Sequence, residues 1–270
     1  MCPFSRSSVP VAALVLCSLA GALAQAADDG LASLIPVHEA AVALTEKGQW
    51  AEAAARYRQF AAARPGSAEG GLAAVLGGLI LLRELGKPDE ALGAFAQAVK
   101  LDGGFAGRVA WIAKSWIARL RMQQLRSALH AYWVRHVEYP ERLEALAEKK
   151  LVPAETLTDP WGRPFEYRTA PLSIAPDLPR QRYTLRCGAT GTDSGDLEAA
   201  LKRTAELPRM FELKAIGASR PPSALMKLKG DNSPPRHVAE GEKIGPATLI
   251  KLTRQVAVLA DGDAVAVFCL

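Results

Sequence analysis

The residues best suited to metal binding or proton transfer near neutral pH are four histidines: His38, His130, His136 and His237. They are scattered. His130 and His136 fall on different faces of one helical stretch, and no metal-ligand or nucleophile motif gathers them with acids or thiols. Gly188-x-x-Gly191 lacks the Gly-Lys-Ser/Thr end with which a phosphate loop holds a nucleotide. These side chains imply no catalytic centre, and the chain reads as non-enzymatic. A formal charge of +5 over 270 residues is a mild surplus and predicts no nucleic-acid partner.

The start of the chain places the rest in a compartment. Arg6 is the one charged side chain before Asp28, and an apolar run from Val11 to Leu23 precedes the small-residue pattern Ala24-Gln25-Ala26. A short positive region, an apolar core and an A-x-A site describe a secretory signal peptide over residues 1–26, exported by the Sec route. The run is shorter than the roughly 20 apolar residues of a membrane span. A periplasmic protein, peripheral to the membrane at most, is expected. Cleavage would remove Cys2 and Cys17, leaving Cys187 and Cys269. Two thiols in an oxidising compartment can pair; the alternative is two small buried hydrophobes in separate modules.

From Pro36 to Gly104 the chain is Ala-rich with helical periodicity. It also repeats. Glu46-Lys47-Gly48-Gln49-Trp50-Ala51-Glu52-Ala53 returns as Glu84-Leu85-Gly86-Lys87-Pro88-Asp89-Glu90-Ala91, and in the same register Tyr57 maps on Phe95 and Gln59 on Gln97. A Gly that ends one helix before a Glu-Ala start of the next builds a helix–turn–helix unit. Small Ala53 and Ala91 let paired helices approach, with Tyr57 and Phe95 filling the space beneath. The unit resembles the tetratricopeptide repeat, but its spacing exceeds that family's period of about 34 residues. A longer helix through Gly70–Leu82 accounts for the excess. The resemblance implies a concave face for peptides or partner helices.

A third helical stretch, from about Gly107 to His136, carries Trp111, Ile112, Trp116, Ile117, Leu120, Leu125, Leu129 and Tyr132 at core spacing. Tyr139-Pro140 then starts a short helix with Leu143-Glu144-Ala145-Leu146, ending near Lys149-Lys150. Asp159-Pro160-Trp161-Gly162-Arg163-Pro164 is turn chemistry leading into a strand through Tyr167, and Arg182–Cys187 alternates as a second strand. In this order the pieces, over about residues 110–200, resemble the globular part of the major pseudopilin of bacterial type II secretion systems. In the turn, Asp159 can accept backbone N–H bonds, Pro160 and Pro164 fix φ, Gly162 takes a conformation closed to other residues, and Trp161 can cover the sheet against the long helix.

Two departures qualify the resemblance. Pseudopilins begin with a prepilin cut site and a long apolar helix, whereas here the leader ends in Ala24-Gln25-Ala26 and hairpins precede the long helix. The family also binds Ca²⁺ in its Gly-rich loop. Here Thr190 stands where the first ligand Asp would fall, leaving Asp193, Asp196 and Glu198 as the hard oxygen ligands that the resemblance implies for calcium. A solvated acidic turn is the alternative, and no other cofactor is implied.

After a charged helix over Asp196–Glu206, Leu207-Pro208 opens a different composition. Strands are expected at Phe211–Ile216, Ser223–Lys229, Thr248–Leu252, Gln255–Ala260 and Ala264–Leu270, the last two joined by Asp261-Gly262-Asp263, a strong hairpin signal. With Val238-Ala239-Glu240-Gly241-Glu242-Lys243-Ile244-Gly245 before them, they resemble the periplasmic homology region of the inner-membrane clamp proteins of type II secretion, shared with pilus-assembly lipoproteins. That resemblance implies docking on a secretin channel; a generic small β-barrel is the alternative.

The expected fold class is α+β. N-terminal α-helical TPR-like hairpins (33–105) precede a pilin-like long helix with a small antiparallel sheet (106–204) and a C-terminal small all-β domain (207–270). The expected function is a non-enzymatic exported scaffold or adaptor of a type II secretion or type IV pilus-like system, with secretin, pseudopilus or platform components as protein partners. The alternative is a general periplasmic TPR-type binding protein unrelated to secretion.

Overall fold

The Ala-rich first part folds as four helices: α1 over residues 30–46, α2 over Trp50–Ala63, α3 over Ala68–Arg83 and α4 over Pro88–Ala96. The computed structural model describes residues 30–174, 178–193, 197–217, 222–231 and 233–270, so the leader over 1–26 lies outside the described residues. Gly48 and Gly86, at φ 73 and 61, turn the chain between helices at matching points of the repeat, and Trp50 and Pro88 open the helices that follow. Ser67 caps α3, its hydroxyl accepting from the Gly70 amide at 3.0 Å. α3 is apolar nearly all round and buried nearly all round. Its Gly77 and Gly78 sit directly under Tyr57 and Phe95, where a Cβ at Gly78 would come within 2.6 Å of the Phe95 ring. Ala53 and Ala91 are fully buried, so the repeat register is also a packing register.

Helix α5 runs from Gly104 to His136, about 50 Å at 1.5 Å per residue. It belongs to two cores. Val109, Ile112, Ala113, Trp116, Ile117 and Leu120 join the hairpin helices, while Ala118, Met122, Leu125, Ala128 and Leu129 face a second core. That second core is closed by α6 (Glu144–Glu148), a 3₁₀ turn (Ala154–Leu157) and the antiparallel sheet β1 (Glu166–Ala170), β2 (Arg182–Cys187) and β3 (Thr192–Asp193), in that order. The helix expected from Pro140 to Lys149-Lys150 is confined to α6. Lys150 leaves it at φ 57, and the Leu151 amide returns to the Leu146 carbonyl at 2.9 Å.

α7 spans Leu197–Met210 and carries Pro208 inside it. The expected break at Leu207-Pro208 does not occur. Proline forfeits its own amide bond to the preceding turn but has only two helical residues after it, and buried Ala200, Thr204 and Leu207 hold the helix up to it. Two sheets follow. β4 (Phe211–Gly217), β5 (Ser223–Leu228) and β6 (Arg236–Ala239) form one, and β7 (Lys243–Ile244), β8 (Ala247–Leu252), β9 (Val256–Asp261) and β10 (Ala264–Cys269) form the other, in the order β10-β9-β8-β7. The stretch read as one turn-like pattern from Val238 thus contributes to both sheets.

The two sheets face one another across Phe211, Met226, Val238, Leu249 and Leu259. β9 is buried on both faces: Ala257 and Leu259 point into this sandwich, Val256, Val258 and Ala260 into the helical core. The fold is α+β, with the last hairpin wedged between helices and a second sheet.

Candidate partner-binding cleft

Where the last hairpin meets the helices, a cleft of about 770 Å³ opens between α1, α2 and α3 on one side and α7, β4 and β10 on the other. Its apolar lining includes Val42, Leu76, Leu79 and Phe211. Its polar lining includes His38, Tyr57 and Cys269, and charged side chains stand on both walls.

His38 lies on the α1 stripe that buries Leu31, Leu34 and Ala41. Its Nδ1 is 2.7 Å from the Tyr57 hydroxyl, and its ring is hydrogen-bonded to the backbone of Val267 in β10. Burial lowers the pKa of His38 below 6.5, opposed in part by the Val267 bond. Burial raises that of Tyr57, with a smaller push from Cys269. The neutral ring therefore accepts the phenol proton at Nδ1 and donates its other N–H to the Val267 carbonyl, tying α1, α2 and β10 together. Burial, with a smaller contribution from Glu39, pushes the Cys269 thiol up to about 11. Burial thus favours the protonated thiol at Cys269 and the neutral ring at His38. The three groups present hydrogen-bonding and apolar surface to the cleft.

Nothing in the spacing of the four histidines marks His38. Its one signal is a polar ring at an apolar-stripe position, which a buried histidine fills only with partners. His130 is exposed, His136 packs on Tyr132 with ring centroids 4.2 Å apart, and His237 meets Ser223 Oγ at 3.0 Å on the surface. The structure does not bring these together.

The residues singled out for calcium are dispersed differently. Asp193 ends β3, exposed, with its carboxylate 2.8 Å from Arg186 Nε. Glu198 stands exposed in the first turn of α7, and Asp196 lies outside the described residues. Thr190 and Thr192 share a hydroxyl–hydroxyl hydrogen bond of 2.6 Å. Among the described residues, no group of three or more His, Cys, Asp or Glu side chains is placed to hold a metal ion. Cys187 and Cys269 are free thiols in different cores.

The Asp159 turn has the chemistry read from its residues. Asp159 is buried, and its Oδ1 accepts the amides of Trp161 and Arg163, both at 2.9 Å. Gly162 takes φ 82, and Arg121 of α5 donates to the Thr158 carbonyl at 2.8 Å. Trp161 packs on the core shared by α5 and β2. At the other end, Tyr167 donates to the Pro140 carbonyl at 2.8 Å, and Tyr139 meets Tyr183 edge-on at 4.7 Å.

Among the described residues no helix is long and apolar enough to cross a membrane. Compared with protein families, curated proteins and solved structures, the chain matches none.

Proposed function

We propose that this protein is a non-enzymatic, exported scaffold of a type II secretion or type IV pilus-like machine, and that its cleft holds a segment of a partner protein. The observation that carries the binding part is the cleft itself. It is assembled from α1–α3, α7, β4 and β10. Burial favours the neutral forms of His38, Tyr57 and Cys269, while Glu39, Glu46, Arg83, Arg209, Glu212 and Lys229 place charged groups on its walls. An apolar floor between charged walls suits recognition of a polypeptide segment.

The secretion part rests on the long helix with its Asp159-Pro160-Trp161-Gly162 turn and Tyr139-Pro140 start, which support a pilin-like reading of residues 106–204. The repeat register of Ala53 with Ala91 and Tyr57 with Phe95 supports a tetratricopeptide-like reading of 33–105. That register, taken alone, also favours the second reading, a general periplasmic TPR-type binding protein.

Photo-crosslinking tests the choice. A benzophenone amino acid at Val42, an exposed position lining the cleft, should label a secretin, pseudopilus or platform component in cells that export the protein. Labelling of unrelated periplasmic proteins alone favours the second reading. No labelling from Val42, against labelling from positions outside the cleft, overturns the assignment of the cleft.

A further inference from the structure

β10 ends its sheet, and its hydrogen-bonding phase can be read from the register. The hairpin closes on the pair Ala264 and Asp261, and the Leu270 amide donates to the Gln255 carbonyl at 3.0 Å. Residues 264, 266, 268 and 270 therefore direct their N–H and C=O groups to β9, while Val265, Val267 and Cys269 direct theirs away from it. Among the described residues, no hydrogen bond is formed by the outward amides of these three, and His38 is the one group on the Val267 carbonyl. A row of outward strand amides beside a cleft is a template for another strand.

We infer that the cleft takes an extended partner segment, which displaces the His38 ring from the largely buried outer edge of β10 and pairs with Val265, Val267 and Cys269 by main-chain hydrogen bonds. This rests on the reading of the cleft as a partner-binding site and narrows it to one class of occupant. A helical segment satisfies its own amides and would leave those of β10 unpaired; an extended one presents groups at strand spacing. The incoming strand takes the Val267 carbonyl over from His38.

The two walls define its side chains. Alternate residues of an added strand face Val42, Leu76 and Leu79 on one side and Phe211 and Leu213 on the other, so the segment is apolar on both faces at its centre. Glu39, Glu46 and Arg83 lie on the helical wall, and Arg209, Glu212 and Lys229 on the opposite wall, so both walls carry charges of both signs.

The test uses the folded chain and a decapeptide phage library. A selected peptide is synthesised in two N-methylated forms, each blocking alternate backbone amides. In an added strand one set faces β10 and the other faces away. Methylating one set should weaken binding by about tenfold or more, and the other by about twofold or less. Cys269→Pro, which removes an outward amide and leaves the ladder to β9 intact, should weaken the unmodified peptide similarly. Val42→Trp should block every form. If both methylated sets bind alike while Val42→Trp still blocks, strand pairing is overturned and the cleft reading stands. If no peptide is selected, or Val42→Trp has no effect on its binding, both are overturned.

Discussion

Arg119 and Asp263, 144 residues apart in the chain, form a buried ion pair: Nε lies 2.5 Å from Oδ2, and the side chains are 5% and 3% exposed. Arg203 of α7 reaches the other carboxylate oxygen at 3.3 Å from a half-exposed position, and Trp116 Nε1 donates to the Asp263 carbonyl at 2.9 Å. One turn residue thus receives bonds from α5 and α7. Gly262, at φ 59, supplies the turn that presents it. The last hairpin is pinned to the helices at one end by this carboxylate and at the other by His38 on Val267, and the cleft lies alongside.

Removing Asp263 leaves a guanidinium buried without its carboxylate. Asp263→Ala should lower unfolding stability by about 3–5 kcal/mol. Arg203→Ala, from a partly exposed site, should cost about 1 kcal/mol or less. Urea denaturation measures both, and the double replacement Arg119→Met with Asp263→Ala should recover part of the loss. Equal small effects from the two single variants would remove the pair from the account of the fold.

Two helical glycines should respond with opposite signs. A Cβ at Gly78 would lie 2.6–3.0 Å from Phe95 ring atoms, and that ring is stacked against Trp116, with centroids 6.2 Å apart. Overpacking outweighs the gain in helix propensity, so Gly78→Ala should destabilise by about 1–2 kcal/mol. Gly93, exposed in α4, has nothing within 4 Å of its Cβ position. Gly93→Ala should stabilise by about 0.5–1 kcal/mol. Thermal melts distinguish the signs.

Val137 ends α5 at φ 58, a region in which a β-branched residue is strained, and its side chain is exposed. Its amide still donates to the Trp133 carbonyl, so the cap needs the backbone angle and not the valine. Val137→Gly should raise stability by about 1 kcal/mol, less the added entropy of the unfolded chain. A lower melting temperature would mean the exposed side chain packs in a way the fold does not show.

The features legible in the sequence are those made within a few turns of chain. The repeat placed Trp50 with Pro88 and Tyr57 with Phe95, and the Asp261-Gly262-Asp263 signal placed the last hairpin, because caps and tight turns are local chemistry. The cleft is not local. It needs His38, Pro208 and Val267 from three distant segments, and no spacing rule links them. Asp263 reads in sequence as part of a hairpin turn; only the crossing of α5 under the hairpin buries it. Pro208 reads as a helix stop because its local preference is outweighed by the buried stripe that ends at Leu207.

Asp159 is a turn residue whose burial follows from its bonds. Asp159→Ala should cost about 3 kcal/mol, since two backbone amides lose a charged acceptor in a site closed to water. Asp159→Asn, which retains an oxygen in the place of Oδ1, should cost about 1 kcal/mol. Gly162→Ala should cost about 1–2 kcal/mol through its φ of 82 alone. Denaturation midpoints in that order support the hydrogen-bonded turn; equal losses for Ala and Asn would point to the charge and not the acceptor geometry.

His38 should make stability fall between neutral and mildly acidic pH. Its folded pKa lies below the unfolded value of 6.5, so the unfolded chain binds more protons in this range and stability rises with pH. The contribution is fully present above pH 6.5 and is lost as pH falls through the depressed folded value. The exposed carboxylates with lowered pKa, Glu90, Glu212 and Asp231, act below 4.5, a separate window. Melting temperatures at pH 7.5 and 5.5 should therefore differ more for the native chain than for His38→Gln, whose amide cannot titrate. The same comparison on peptide binding locates the effect. A protonated ring would have to donate to the Tyr57 phenol oxygen and carry a charge in a buried site, so the α1–α2–β10 tie is destabilised on acidification. An identical pH slope for both chains would show that His38 is solvated and that the tie to Val267 does not hold the edge of β10.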